Sequence, residues 1–373
     1  METPTKARAE AMTDAINSFA FKLLKSIPEI FEENSVVSPF SIFQMLGMLY
    51  IGTAGQTKQD LANLLELPED MQPEEFGWLN HQGENSDAEW LVANGIWPQI
   101  NFELKAEFID ICQTHFQARL ESLDYVGHAE QSKQRINGWI KEQTKGLIPS
   151  LIEEVDASTA LVLTNAVYFF GEWREGSFDS DDHVEDTFFK EDGSTILVTY
   201  MTKTMNLFHA QDDKTDWIFI EYRGGYGLLL ALPKPEYNLT QWLAEAELEQ
   251  LESTFRHLQR TNAKIYMPKF SCSGEWDLLS WLRKQQIDLG PKGDFSGMLS
   301  SKPIFVSESK HKCSIQIDEK GTTAAAASSL IFSRGGFFGQ AEEFKINRPF
   351  GMFLLDTQKG VINFAGVIRE PKM

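Results

Sequence analysis

Cysteine is scarce in this chain of 373 residues, which contains only three. Cys112, Cys272 and Cys313 stand at neither C-x-x-C nor zinc-ligand spacing, so the sequence predicts no metal site and no cofactor. The first residues lack the apolar core of a signal peptide, so we expect free thiols and a cytoplasmic protein, with leaderless secretion as an open alternative. No apolar run is long enough to span a bilayer, so we expect no membrane partner.

Positive charge and catalytic motifs are also in short supply. The chain has 34 lysines and arginines against 54 aspartates and glutamates, a formal net charge of −20. Nucleic acids require a basic surface, so this balance argues against them as primary partners. The sequence holds no H-E-x-x-H, G-x-G-x-x-G, Walker or G-x-S-x-G motif. We therefore do not expect an enzyme.

Apolar residues are plentiful, at 42% of the chain, and no linker or repeat divides them, so we expect one monomeric domain over residues 1–373. Helical spacing predicts helices around residues 12–23, from Ser38-Pro39 to Gly52, and over 132–144. Strand-like segments follow at 161–170, 217–222, 227–232, 263–270 and 315–317. Helices first and strands later, without regular alternation, predict an α+β fold on large, mostly antiparallel sheets.

Small uncharged side chains follow one another after Gly321, and nothing large or charged appears until Leu330. In a strand, alternate residues share a face, so Thr322, Ala324 and Ala326 would all point one way. Four alanines in a row also suit a helix or a flexible linker. We favour a strand because the tract follows a strand-like segment at 315–317.

A series of motifs in the chain resembles the serpins in order and spacing. They are Asn34-x-x-x-Ser38-Pro39-x-Ser41-Ile42, Gly52-x-Ala54-Gly55-x-Thr57, Ile136-Asn137-x-Trp139, Thr144-Lys145-Gly146, Thr164-Asn165-Ala166-x-Tyr168-Phe169-x-Gly171-x-Trp173, Leu232-Pro233, Met267-Pro268-Lys269-Phe270, Asp294-Phe295-Ser296-Gly297, His311-Lys312, Glu319-x-Gly321-Thr322 and Asn347-Arg348-Pro349-Phe350. Together they cover nearly the whole chain. The resemblance is to the inhibitory type of serpin.

This resemblance implies a suicide-substrate inhibitor of serine proteases. In serpins an exposed loop is cleaved and inserts into the main sheet while still esterified to the protease, which is trapped covalently. Here the reactive-centre loop would cover about residues 319–343. Its hinge would be Glu319, Gly321, Thr322, Thr323, Ala324, Ala325, Ala326 and Ala327. Cysteine proteases as additional targets, and a non-inhibitory serpin acting as a chaperone or binding protein, stay open as alternatives.

The bond offered to the protease depends on how the loop is counted. Counting the family's usual hinge length forward from Gly321 ends at Gly335, and a hinge one residue shorter ends at Arg334. We prefer the Arg334-Gly335 bond, because arginine matches an acidic specificity pocket of a trypsin-like protease. Counting backward from Asn347 favours a chymotrypsin-like or cathepsin-like target. The alternatives on that side are Gly336, Phe337 and Phe338.

The resemblance also implies roles for residues beneath the main sheet. Four polar residues match the cluster where serpin strands part, and one tryptophan matches the aromatic near the top of that opening; these are Ser38, Ser41, Asn165, His311 and Trp173. The stretch between Thr57 and Asn94 looks shorter than in other serpins, which would trim the helix that some of them use to bind heparin. With the acidic net charge, we do not expect a heparin-type cofactor.

Overall fold

The computed structural model describes residues 4–80, 87–179, 182–299, 304–322 and 342–372. Its α-helices are α1 (Lys6–Ser26), α2 (Pro39–Gly52), α3 (Gly55–Leu64), α4 (Pro73–Asn80), α5 (Ala106–Phe116), α6 (Tyr125–Gln143), α7 (Leu239–Glu245), α8 (Leu248–His257) and α9 (Leu278–Lys284). Its strands are β1 (Ser35–Val37), β2 (Glu89–Pro98), β3 (Arg119–Leu120), β4 (Leu161–Glu172), β5 (His183–Phe189), β6 (Thr195–Gln211), β7 (Thr215–Glu221), β8 (Tyr226–Pro233), β9 (Gln259–Pro268), β10 (Phe270–Asp277), β11 (Glu308–Asp318), β12 (Gly321–Thr322), β13 (Glu342–Lys345), β14 (Phe350–Asp356) and β15 (Val361–Ile368). The expected α+β class is confirmed.

The first two predicted helices are confirmed, and their ends have clear local causes. The predicted apolar face of α1 is buried. At the start of α2, the Ser38 hydroxyl accepts a hydrogen bond from the Ser41 N–H, and Pro39 occupies the first turn. The side chains of α2 are buried nearly all round, and the helix contacts both β4 and β15. A helix with no polar face is typical of the interior of a domain.

The third helix is longer than the sequence predicted. Structurally, α6 begins at Tyr125 rather than near residue 132. Its start is fixed by Asp124, whose carboxylate accepts a hydrogen bond from the Gly127 N–H at 2.9 Å. The backbone leaves helical geometry at His128, which interrupts the apolar periodicity on which the prediction relied.

Among the described residues, the strands form two sheets. The first has the order β10-β11-β12-β4-β2-β3. The second has the order β1-β15-β14-β8-β7-β6-β9-β13, with β5 paired to β6. Most neighbouring strands are antiparallel. This arrangement agrees with the expected antiparallel sheets.

A long parallel ladder lies within the first sheet. Strands β4 and β11 pair in parallel from Glu308 with Val162 to Ser314 with Tyr168. We call this ladder the seam. Above Tyr168 and Ser314 the two strands no longer pair with each other, and β12 lies between them, antiparallel to both. The seam therefore opens at one end into a gap that is already occupied by two residues of the hinge.

The predicted strand segments mostly fall inside observed strands. Two segments cross a strand end. The segment 217–222 runs one residue past β7, and 263–270 contains the end of β9, the break at Lys269 and the first residue of β10. The sequence also gave no signal for the long strand β6. Its residues alternate poorly between apolar and polar side chains, so the period-2 pattern of a half-buried strand is weak there.

Other chemical features of the described residues are simple. Cys112, Cys272 and Cys313 are buried free thiols, and burial raises the pKa of Cys272 to about 12. No described helix is both long enough and apolar enough to cross a membrane. The described ranges contain no group of three or more His, Cys, Asp or Glu residues arranged to hold a metal ion.

Candidate functional site

The hinge enters the sheet at Gly321 and Thr322, which form β12. Thr322 pairs with Ile317 of β11 on one side and with Gly171 of β4 on the other. Its side chain is 2% exposed, and its hydroxyl lies 2.8 Å from the hydroxyl of Tyr222. Tyr222 is itself fully buried, so this hydrogen bond satisfies two buried hydroxyl groups at once.

Gly321 has a backbone conformation and an environment that exclude other residues. Its φ angle is +142°, in the region that favours glycine. A Cβ atom added to Gly321 would lie 2.0 Å from the backbone oxygen of Gly171. Only glycine therefore lets the chain turn from β11 into the gap while keeping contact with β4.

The backbone oxygens of the three residues before β12 accept hydrogen bonds from one short segment, residues 173–178. The indole N–H of Trp173 donates to the Asp318 oxygen at 3.1 Å, and the Trp173 backbone N–H donates to the Lys320 oxygen at 3.1 Å. The Phe178 N–H donates to the Glu319 oxygen at 2.7 Å. Trp173 is fully buried and stacks on Tyr222, with ring centroids 4.4 Å apart. Trp173 thus lies at the start of the hinge.

The Glu319 side chain links the hinge to two other parts of the protein. It forms an ion pair with Lys269, and its Oε1 lies 2.9 Å from the Nε2 atom of His183. Burial opposes ionisation of Glu319, but the hydrogen bond from Lys269 and nearby positive charge hold the pKa of the carboxyl below its usual value. Lys269 occupies the break between β9 and β10, so the turn there places a cation beside the hinge.

A second group of polar side chains bridges the seam from below. His311 of β11 and Asn165 of β4 are directly paired in the ladder, and His311 Nδ1 bonds to Asn165 Oδ1. The Ser38 N–H donates to His311 Nε2 at 3.3 Å, and Asn165 Nδ2 donates to the Ser41 hydroxyl at 2.7 Å. The four residues predicted from sequence therefore lie in one hydrogen-bonded group, which we call the seam cluster. Trp173 is not part of it.

The structure adds residues that the sequence did not single out. Asn94 of β2 joins the seam cluster, because its Oδ1 accepts from Asn165 Nδ2 at 2.5 Å. The Ser38 hydroxyl donates to the backbone oxygen of Asn363 in β15 at 2.8 Å. At the hinge, Tyr222 and Lys269 were likewise missed. Lys269 stands inside one of the serpin-like motifs, so the sequence contained a signal for it without indicating its contact.

His311 is held as a neutral imidazole. It is fully buried, and desolvation lowers its pKa to about 3. Its Nε2 accepts a hydrogen bond from the Ser38 N–H, so the proton is placed on Nδ1, facing Asn165. A second proton on Nε2 would oppose the N–H of Ser38. The folded protein therefore excludes the charged form.

This exclusion predicts a loss of stability in mild acid. Between the ordinary histidine pKa of about 6.5 and the lowered pKa of about 3, the unfolded chain binds a proton that the folded protein does not. The free energy of unfolding therefore falls as pH falls through this window, by about 1.4 kcal/mol from this residue between pH 7.5 and 5.5. Urea unfolding of the wild type and of His311→Gln at both pH values measures it. The variant should lose that part of the pH dependence; equal dependence in both proteins would contradict the assignment.

The remaining predicted site residues lie outside the described residues. These are the hinge residues Thr323, Ala324, Ala325, Ala326 and Ala327, the preferred bond at Arg334 and Gly335, and the alternatives Gly336, Phe337 and Phe338. On either side, the described chain reaches Thr322 at the top of the gap and resumes at Glu342, the first residue of β13. The assignment of hinge residues 323–327 and of the cleaved bond stays a prediction from the sequence.

Comparison with known proteins decides the family. The model of the serpin family, described as serine protease inhibitor, matches residues 14–371. The chain belongs to the serpin family. The motifs that first indicated this resemblance therefore correspond to a match over nearly the whole chain, and proteins of this family are known as protease inhibitors rather than proteases.

Individual relatives of this serpin agree with the family match. An uncharacterized serpin-like protein of Thermococcus kodakarensis is 28% identical, over 98% of this chain and 87% of its own length. The leukocyte elastase inhibitor of Sus scrofa is 28% identical, over 97% of this chain and 100% of its own length. A crystal structure of human thyroxine-binding globulin complexed with thyroxine superposes with a TM-score of 0.87 at 25% identity, covering 98% of this chain and 100% of the other.

Proposed function

We propose that this serpin inhibits serine proteases as a suicide substrate, through insertion of its cleaved loop between β4 and β11. The observation that carries the proposal is the position of β12. Gly321 and Thr322 already pair with both strands at the point where the seam ends. Residues that follow Thr322 would extend the same strand by separating β4 from β11, one pair at a time.

Strand pairing supplies the driving force for this insertion. The seam is a parallel ladder, and a strand that runs antiparallel to β4 and β11 would replace it with two antiparallel ladders. Antiparallel pairing is slightly more stable per residue than parallel pairing. About ten additional backbone hydrogen bonds, at about 0.5–1.5 kcal/mol each, would contribute on the order of 10 kcal/mol. The sequence imposes no electrostatic penalty, since no charged residue occurs between Gly321 and Ser333.

The seam cluster would have to rearrange during insertion. His311 and Asn165 face each other across the seam, so an inserted strand would separate their hydrogen bond. Asn165 has further partners in Ser41 and Asn94, and His311 has one in Ser38. These remaining contacts would keep most of the buried polar atoms bonded while the two strands move apart. We propose this as the function of the cluster.

The target class would follow from the cleaved bond. Arg334 would select a trypsin-like protease, whereas Phe337 or Phe338 would select a chymotrypsin-like one. We expect Arg334→Ala to reduce the rate of trypsin inhibition by at least roughly 100-fold, because the charged hydrogen bonds to the protease pocket are lost. The double variant Phe337→Ala/Phe338→Ala is the matched control and should retain trypsin inhibition. If instead the double variant lost inhibition and Arg334→Ala retained it, the cleaved bond would follow one of the two phenylalanines.

A panel of purified proteases tests the function itself. The protein is incubated with trypsin, chymotrypsin, elastase and a papain-type cysteine protease, and the products are separated in detergent. A detergent-stable complex, with release of a peptide that starts at Gly335 and ends at Met373, is the expected result for trypsin. Cleavage by every protease without a complex would reject inhibition. It would then favour a non-inhibitory role as a chaperone or binding protein, a class to which the ligand-bound thyroxine-binding globulin structure gives a precedent within the fold.

A further inference from the structure

A partly enclosed pocket beside the seam cluster contains buried polar atoms without protein partners. Its volume is about 260 Å³, and it lies between α2, β2 and the turn that joins β14 to β15. Gln44 of α2 and Asn363 of β15 both line it and are 1% and 5% exposed. Within the part of the chain that the structure describes, Gln44 Nε2 and Asn363 Oδ1 make no hydrogen bond. Buried polar atoms without partners are rare, because they lose hydrogen bonds to water and form no others.

The orientation of the Gln44 amide is fixed by a neighbour. Asn80 Nδ2 donates a hydrogen bond to Gln44 Oε1 at 3.2 Å, and the same nitrogen donates to the backbone oxygen of His115 at 2.8 Å. The Gln44 oxygen is therefore used, and its NH₂ group is a free donor at the pocket wall. Asn363 Oδ1 supplies a free acceptor. The indole N–H of Trp90, another lining residue, is also buried without a hydrogen-bond partner among the described residues. The pocket thus offers two donors, on Gln44 and Trp90, and one acceptor, on Asn363.

The rest of the lining is aromatic and has balanced charge. The rings that line it belong to Phe40, Trp90, Phe116 and Tyr226. The charged residues are Asp356 and Lys359, which form an ion pair at 3.8 Å, and the Lys359 ammonium also donates to the Leu79 oxygen at 2.8 Å. Because these charges already neutralise each other, a charged ligand would lose its hydration without gaining a counter-ion. An uncharged ligand avoids that loss.

We propose that this pocket binds a small uncharged aromatic molecule that carries both a hydrogen-bond acceptor and a hydrogen-bond donor, as an aromatic amide does. The acceptor would bond to Gln44 Nε2, and the donor would bond to Asn363 Oδ1. The volume is slightly below the range of about 300–1,000 Å³ that is typical of ligand pockets, so it suits a molecule of one or two rings.

The pocket is physically connected to the seam. Ser41 and Asn94 line it, and both also hold Asn165 in the seam cluster. A bound molecule would contact α2 and β2 together and so favour the arrangement in which Asn165 keeps these partners. Occupancy is therefore expected to slow separation of β4 from β11. This consequence rests on the proposed inhibitory function, whereas binding itself does not.

Benzamide is a suitable probe, and titration calorimetry on the intact protein is the test. We expect saturable one-to-one binding with a dissociation constant of roughly 0.1–1 mM, as is reasonable for so small a ligand. Benzoate, which is charged, and toluene, which has no polar group, should bind at least roughly tenfold more weakly. Gln44→Met keeps the side-chain length but removes the donor, and should weaken benzamide binding about fivefold.

A second variant protects the test against misfolding of the first. Val92 lines the pocket and is 37% exposed, so Val92→Trp would obstruct the pocket from its outer side and should abolish binding. Leu197→Trp, at a 76% exposed position outside the pocket lining, is the control and should bind benzamide normally. No saturable binding by the wild type, wild-type affinity in both pocket variants, or equal binding of toluene would each overturn the proposal. The titration needs no protease, so failure of protease trapping would reject the inhibitory function separately.

Discussion

The Thr322→Arg variant is expected to be cleaved by its target protease without forming a covalent complex. Thr322 is 2% exposed in β12 and is bonded to Tyr222, so a guanidinium there would be a buried charge without a partner. Such a charge costs about 3 kcal/mol or more. In the intact variant the hinge can avoid this cost by leaving the gap, so the cost falls on the insertion step, which slows at least roughly 150-fold. The protease would then deacylate before it is trapped, and the inhibitor would become a substrate.

The ratio of serpin to protease needed for complete inhibition measures this effect. It should rise by at least roughly tenfold in Thr322→Arg, and the complex band in detergent gels should disappear. Thr323→Arg is the matched control, because strand alternation would put its side chain on the opposite face of an inserted strand. Cleavage of both variants at the same bond would verify that both present the loop. Normal complex formation by Thr322→Arg would contradict insertion through the gap at β12.

Cleavage of the loop is expected to raise the melting temperature on the order of 10 °C. The insertion would add on the order of 10 kcal/mol of backbone hydrogen bonding. The entropy of unfolding of a 373-residue chain is about 0.8 kcal/mol per degree, which converts that energy into the expected shift. The physical origin is the exchange of the parallel seam between β4 and β11 for two antiparallel ladders.

Differential scanning calorimetry of intact and loop-cleaved protein measures this shift. The loop can be cut by a protease that is not trapped, so that no complex contributes to the signal. Thr322→Arg treated in the same way is the internal control and should show a smaller increase, because its hinge resists burial. An unchanged melting temperature in the cleaved wild type would mean that the loop stays outside the sheet. That result would favour the non-inhibitory alternative.

Much of the fold could be anticipated where local chemistry is strong. The apolar face of α1 and the Ser38-Pro39 start of α2 follow from spacing and capping, and both agree with the structure. Prediction failed where the pattern was weak or interrupted. The kink at His128 interrupts the helical pattern, so the first turns of α6 were not predicted. The break at Lys269 divides a segment that was predicted as one strand. The long strand β6 lacks a clean alternation, so it gave no signal at all.

The candidate site was likewise only partly predictable from the sequence. The serpin-like motifs named Asn165 and His311, which lie 146 residues apart in the chain. They did not indicate that Asn94 completes the group or that Tyr222 bonds to Thr322. Glycine at position 321 was expected from the motif, but its necessity comes from the backbone of Gly171, only 2.0 Å from where a Cβ would stand. Such contacts depend on strand register, which local sequence does not encode.

The sequence by itself determined the family, the α+β class and the small, uncharged tract after Gly321, because these depend on residue type, order and short-range spacing. Only the tertiary structure decided that β4 and β11 pair in parallel, that the seam ends at Tyr168 and Ser314, and that Thr322 enters the gap above it. Those features arise from pairing between distant strands, whose register is set by how both strands pack into one core. Local propensities constrain each strand, but they cannot choose its neighbour.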